Sequence, residues 1–140
     1  MGSEVDVSVR NLDKLFRPSR VAVIGATDRP GSVGRTLLHN LIGSGYAGTV
    51  YPVNPNHDSV HNITAYPTIS AVPHTPDLAI VCTPARSVID IARQCGEAGV
   101  GAMIVLAAGF AETGEDGRRL ETELKAELAR FEGLRILGPN

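Results

Sequence analysis

Five short apolar runs constrain this chain more than any other feature. They are residues 21–25 (VAVIG), 49–53 (TVYPV), 78–82 (LAIVC), 102–107 (AMIVLA) and 134–137 (LRIL). None alternates apolar with polar residues, so each reads as a strand buried on both faces, as in a parallel sheet covered by helices. Between them lie helical patterns: residues 34–42 with Leu37, Leu38 and Leu41 on one face, 87–98 with Val88, Ile91, Ala92 and Cys95 inward, and 116–131 with a stripe of Leu120, Leu124, Leu128 and Phe131. Strand–helix alternation with short connections predicts a doubly wound, mainly parallel α/β sheet with helices on both faces. Residues 56–77 are rich in turn formers, and only a short edge strand around 63–66 is expected there. In such a fold a ligand sits beyond the carboxyl ends of the strands, at the point where strand order reverses. Those ends carry small or turn-forming residues: 25–27, 53–56, 82–84, 107–110 and 138–140.

At 140 residues the chain makes one domain. Its net charge of −2 offers no basic face for nucleic acid, and no apolar run approaches the ~20 residues of a membrane span. The opening MGSEVDVSVR has no apolar centre and is no signal peptide, and Asp6 stands where a myristoylation signal needs Ser or Thr. Cys82 and Cys95 form neither a disulfide framework nor a zinc spacing, which suits a reducing compartment. A cytoplasmic location is therefore expected, and the sequon at Asn62 then has no meaning.

The chemistry concentrates in VAVIGATDRPGSVGR, residues 21–35. A strand ends at Gly25, a loop with glycines and a proline follows, and a helix begins. Residues 31–34 place free N–H groups at a helix start, where the macrodipole amounts to roughly half a positive charge. Gly25 and Gly34 permit close backbone approach, Ser32 can cap the helix, and Arg29 and Arg35 add positive charge. A tight strand-to-helix turn wants glycine for its own sake, so the glycines alone do not decide between ligand and turn. On the phosphate reading, Gly34→Glu should abolish binding and leave the fold intact. The end of the second strand argues against a nicotinamide dinucleotide: a carboxylate for the ribose hydroxyls belongs there, but the chain reads V-N-P-N, with none before Asp58.

The segments LFRPSRVAVIGATDRPGSVGRTLLHNL, GTVYPVNPNH, DLAIVCTP, AGFAETGEDG and LRILGPN together resemble the N-terminal CoA-binding domain of NDP-forming acyl-CoA synthetases, the group of succinyl-CoA synthetase α subunits and ADP-forming acetate–CoA ligases. The resemblance covers residues 13–140, leaving 1–12 as a tail, and implies a Rossmann-like fold with coenzyme A as ligand. It implies that Gly25, Ala26, Thr27, Asp28, Arg29, Pro30, Ser32, Val33 and Gly34 surround the CoA phosphates. Val53, Asn54, Pro55 and Asn56 then lie along the adenosine end. Cys82, Thr83, Pro84, Ala107, Ala108 and Gly109 guide the pantetheine arm. Relatives often place a lysine just after V-N-P, where this chain has Asn56 and His57, so a fixed charge is missing there.

The histidine that relatives phosphorylate belongs to a later domain, and none of His39, His57, His61 and His74 sits in a matching motif. His39 is expected on the solvent side of its helix and the others in loops, with no metal site. The resemblance also implies that the chain is excised from a longer protein and catalyses nothing alone. CoA or acyl-CoA is the expected small partner, and downstream ligase and ATP-grasp domains or subunits are the expected protein partners. Two other readings stand beside it: a regulatory domain of an acetyltransferase fused to a GNAT domain, and a small NAD(P)-binding domain.

Overall fold

The computed structural model describes residues 12–107, 110 and 114–138. In chain order the elements are α1 (Leu12–Phe16), β1 (Arg20–Ile24), α2 (Val33–Gly43), β2 (Thr49–Val53), β3 (Ser59–Val60), β4 (Ile63–Thr64), a 3-10 turn (Ile69–Ala71), β5 (Leu78–Val81), α3 (Ala85–Ala98), β6 (Ala102–Val105), α4 (Glu115–Leu128) and β7 (Arg135–Leu137). All five apolar runs are strands and all three helical patterns are helices. The short helix α1 gave no periodic signal, because five residues are barely more than one turn.

The main sheet is wholly parallel, in the order β2-β1-β5-β6-β7. It continues past β2 by a single parallel bridge between Val53 and Tyr66, closed by Tyr66 N–H to Pro52 O and Asn54 N–H to Tyr66 O, both 2.9 Å. If Tyr66 is counted as a reduced third strand, the spatial order is the 3-2-1-4-5-6 of the Rossmann fold. Strand order reverses between β1 and β5, so the crevice at their carboxyl ends is the place for a ligand.

Successive side chains of each strand point to opposite faces, and both faces are dry. Ala22, Ile24, Ala79, Val81, Met103 and Val105 pack with Val88, Ala92 and Cys95 of α3 and Leu124 of α4. Val21, Val23, Leu78, Ile80 and Ala102 pack on the other face with Leu38 of α2, and Leu15 of α1 lies against them. The non-alternating runs thus arise because both faces are covered.

The segment after β2 differs from expectation. The expected edge strand is reduced to the Tyr66 bridge, and ahead of it the chain forms an antiparallel ribbon, Ser59 opposite Thr64 and Val60 opposite Ile63. The two turn residues, His61 and Asn62, have φ of 53° and 62°, the type I′ pattern of two-residue hairpins. Glycine usually supplies such a turn, and two-residue strands carry no periodicity, so the ribbon left little trace in the sequence. Val60 is 1 % exposed and anchors it in the α2-side core.

Candidate functional site

The strand ends converge as the fold requires. Gly25 leaves β1 at φ 92°. A Cβ there would also press on the Cys82 carbonyl and the Thr83 methyl group, each about 3.1–3.2 Å away, so the loops after β1 and β5 lie back to back. The loop that follows is knitted by its own bonds. Arg29 N–H donates to Thr27 Oγ1 (3.1 Å), Ser32 Oγ donates to Arg29 O (2.8 Å), and Arg35 N–H donates to Ser32 Oγ (3.2 Å). Ser32 is the N-cap of α2, which satisfies one of the helix's orphan donors. The N–H groups of Val33 and Gly34 have no partner among the described residues. Arg29 and Arg35 likewise form no ion pair there. Free donors at a helix N-terminus, with two exposed arginines in the same segment, have the chemistry of an anion site.

The glycines divide their work. At Gly34 a Cβ would collide with the Gly25 carbonyl oxygen, so this glycine lets α2 seat directly on the end of β1. Replacing it disturbs that seat whatever happens to a ligand, and the expectation that Gly34→Glu spares the fold is corrected on this ground. Gly31 instead has open space around its Cβ position and a φ of 80°; it turns the chain toward α2.

Two clefts flank the loop. One, of about 400 Å³, lies on the α3 side and is lined by Gly25, Val53, Asn54, Pro55, Asn56 and Thr83, together with Ile69 of the 3-10 turn and Ile91 and Gln94 of α3. The other, of about 300 Å³, lies on the α2 side and joins Gly31, Ser32 and Val33 to Thr36, Leu37, Asn40 and Leu106. Thr36 and Asn40 were not singled out in the sequence, although the spacing 33, 36, 37, 40 puts them on one helix face with Val33 and Leu37. Ile91 and Gln94 follow the same logic on α3, but nothing local says which face meets β2.

Several side chains that the resemblance places around the ligand are occupied within the protein. Asn54 Nδ2 donates to Ala26 O (2.8 Å) and its Oδ1 accepts from Asn56 N–H (2.7 Å), so it clamps the loop after β2 to the loop after β1. Asp28 Oδ1 accepts the backbone N–H of His61 at 3.0 Å. Ala26 and Ala107 are buried, and Pro30, Pro55 and Pro84 are exposed. Ala108 and Gly109 lie outside the described residues. Cys82 is half-buried, and burial pushes its thiol up to about 11, so it carries no thiolate near neutrality. His39 is exposed on α2 and the other three histidines sit in loops and turns. Among the described residues no three His, Cys, Asp or Glu side chains gather to hold a metal ion.

Coenzyme A is a long polyanion with an adenosine end and a thin pantetheine arm, and the residues present fit it. The free N–H groups of Val33 and Gly34 and the two exposed arginines are donors of the kind that phosphates require. Asn54, Pro55 and Ile69 line a mainly apolar cleft on the α3 side of the loop. Thr83 Oγ1, at the switch point, is the one buried side-chain polar atom without a partner among the described residues, and a buried hydroxyl left unpaired is costly.

Comparison with known proteins agrees. Residues 19–140 match the CoA binding domain family. The chain is 42% identical over 133 residues to a trans-feruloyl-CoA synthase from an unidentified prokaryote, covering 95% of this chain and 19% of the relative. It is 39% identical over 134 residues to the α subunit of an ADP-forming acetate–CoA ligase from Pyrococcus furiosus, covering 93% of this chain and 29% of the relative. An acetyl-coenzyme A synthetase structure from Ca. Korarchaeum cryptofilum superposes with a TM-score of 0.86 at 40% identity, covering 92% of this chain and 28% of that one. The chain thus spans between a fifth and under a third of the length of these relatives. A donor-lined loop at the switch point of a Rossmann sheet, and a family match over nearly its whole length, place this chain in the CoA-binding domain family.

Proposed function

We propose that this domain is the CoA-binding module of an NDP-forming acyl-CoA synthetase, acting in the cytoplasm beside ligase and ATP-grasp domains or subunits. The observation that carries the site is the loop of residues 25–34, with two free N–H groups and two unpaired arginines pointing to an anion. In this reading Val33 and Gly34 donate to the pyrophosphate, and Arg29 and Arg35 neutralise it. Val53, Asn54, Pro55 and Asn56 form the wall for the adenosine end. Thr83, Pro84, Ala107, Ala108 and Gly109 border the path of the pantetheine arm, and the Thr83 hydroxyl supplies it with a hydrogen-bond partner. When bound, the coenzyme supplies the thiol that accepts an acyl group. In this reading the chain's residues hold and aim it. The full reaction interconverts acid, CoA and NTP with acyl-CoA, NDP and phosphate, and the reading is supported by relatives that include ADP-forming acetate–CoA and 4-hydroxybutyrate–CoA ligases.

Thermal unfolding with added ligand tests the reading. Binding to the native state alone stabilises it by mass action, so CoA should raise the midpoint most, dephospho-CoA less and NAD least at equal concentration. The gap between the first two should be small, because Asn56 and His57 offer the 3′-phosphate no fixed cation. Equal or greater stabilisation by NAD would overturn the assignment.

A further inference from the structure

Asp28 is an electrostatic anomaly. It is exposed in the middle of a loop whose free groups invite an anion, and its carboxylate lies within a few residues of the donors at Val33 and Gly34. Any phosphate bound there feels it as a like charge, which at moderate ionic strength acts over about 10 Å. A carboxylate in that place needs another task, and the structure shows one. Its Oδ1 accepts the N–H of His61 at 3.0 Å across 33 positions of sequence. His61 occupies the first turn position of the β3–β4 hairpin, whose N–H takes no part in the turn's own closing bond. The imidazole of the same residue meets His39 of α2 edge to face, with ring centroids 5.6 Å apart. The hairpin turn thus touches both the loop and the helix that carries the free donors. Asn54 ties the other end of the loop at Ala26.

We propose that Asp28 is a positioning residue for the phosphate loop and not a ligand contact. It holds the loop against the hairpin turn through His61, at the expense of a repulsive charge beside the ligand. The inference rests on the loop being the phosphate site. Its consequence is that two substitutions which remove the same charge have different effects. Asp28→Asn keeps an acceptor oxygen for His61 and drops the repulsion, so CoA should bind more tightly, by ~3-fold at low salt, with the gain vanishing at high salt. Asp28→Ala also drops the repulsion but frees the loop, so its affinity should fall about tenfold below that of Asp28→Asn at every salt concentration.

Calorimetric titration of CoA into the two variants and the wild-type chain, at low and at ~1 M salt, decides the matter. Hydrogen exchange of the His61 amide without ligand is the independent reading: slow in wild type and Asp28→Asn, fast in Asp28→Ala. Equal affinities in the two variants, or weaker binding by Asp28→Asn than by wild type, would overturn the proposal. A wild-type chain that binds NAD as well as CoA would instead overturn the site reading beneath it.

Discussion

The two ends of one sheet solve opposite problems. At the amino ends of β1 and β5 the polar groups are closed upon each other. Asp77, just before β5, accepts the N–H groups of Ser19 (2.7 Å) and Arg20 (3.2 Å) and pairs with Lys14 at 3.0 Å. Tyr46 donates its hydroxyl to Pro18 O at 2.6 Å. At the carboxyl ends the same strands leave two helix N–H groups, two guanidinium groups and one buried hydroxyl without a partner among the described residues. Buried polar groups are nearly always paired in folded proteins, and exposed ones are left to water or to a ligand. The free donors at the carboxyl ends are the groups that the proposed ligand would engage, and the paired set marks where the chain completes itself.

The strongest test of this contrast is at the seat of α2 on β1. Gly34→Ala should cost about 3 kcal/mol or more of stability in denaturant unfolding, because the new methyl group overlaps a carbonyl that the core holds in place. A wild-type unfolding midpoint would refute the packing role. Next comes the closed end. Asp77→Ala strands two N–H groups and a lysine and should cost about 2 kcal/mol, with CoA affinity unchanged. Burial opposes the charge of Asp77, but the Lys14 hydrogen bond and the two backbone donors outweigh it and hold the carboxyl below its usual range. A depressed carboxyl contributes stability above its unfolded-state pKa and loses it as pH falls through the folded-state value. The wild-type protein should therefore show an acid-side loss that Asp77→Ala lacks, and matching pH profiles would remove Asp77 from the account.

The smallest effect sharpens the comparison at the open end. Val33 is 55% exposed at the first position of α2. A glutamate there complements the helix dipole by ~0.3–1 kcal/mol, yet places a carboxylate where the phosphates go. Val33→Glu should be at least as stable as wild type and bind CoA about tenfold more weakly. Retained affinity in the folded variant would move the phosphates away from this helix. Structure and ligand thus respond with opposite sign to one charge, which the closed end cannot imitate.

Runs such as VAVIG and LAIVC specified, by themselves, strands covered on both faces, and with the intervening 3.6-residue periodicities they determined a parallel doubly wound sheet. The glycine loop between β1 and α2 was equally legible as a turn into a capped helix, because strand end, N-cap and helix start are neighbours in sequence. What the tertiary structure decided is who meets whom. The spacing of Gly34 did not distinguish an approach for phosphate from an approach for β1; the Gly25 carbonyl beside it does. Nor did the sequence show that Asn54 and Asp28 bond within the protein, to partners 28 and 33 positions away at Ala26 and His61. The hairpin that supplies His61 rests on two-residue strands and a turn without glycine, held by burial of Val60 more than by local preference. Local propensity and periodicity act between near neighbours and so are written in the sequence. Hydrogen bonds across long loops exist only once the sheet has brought distant segments together.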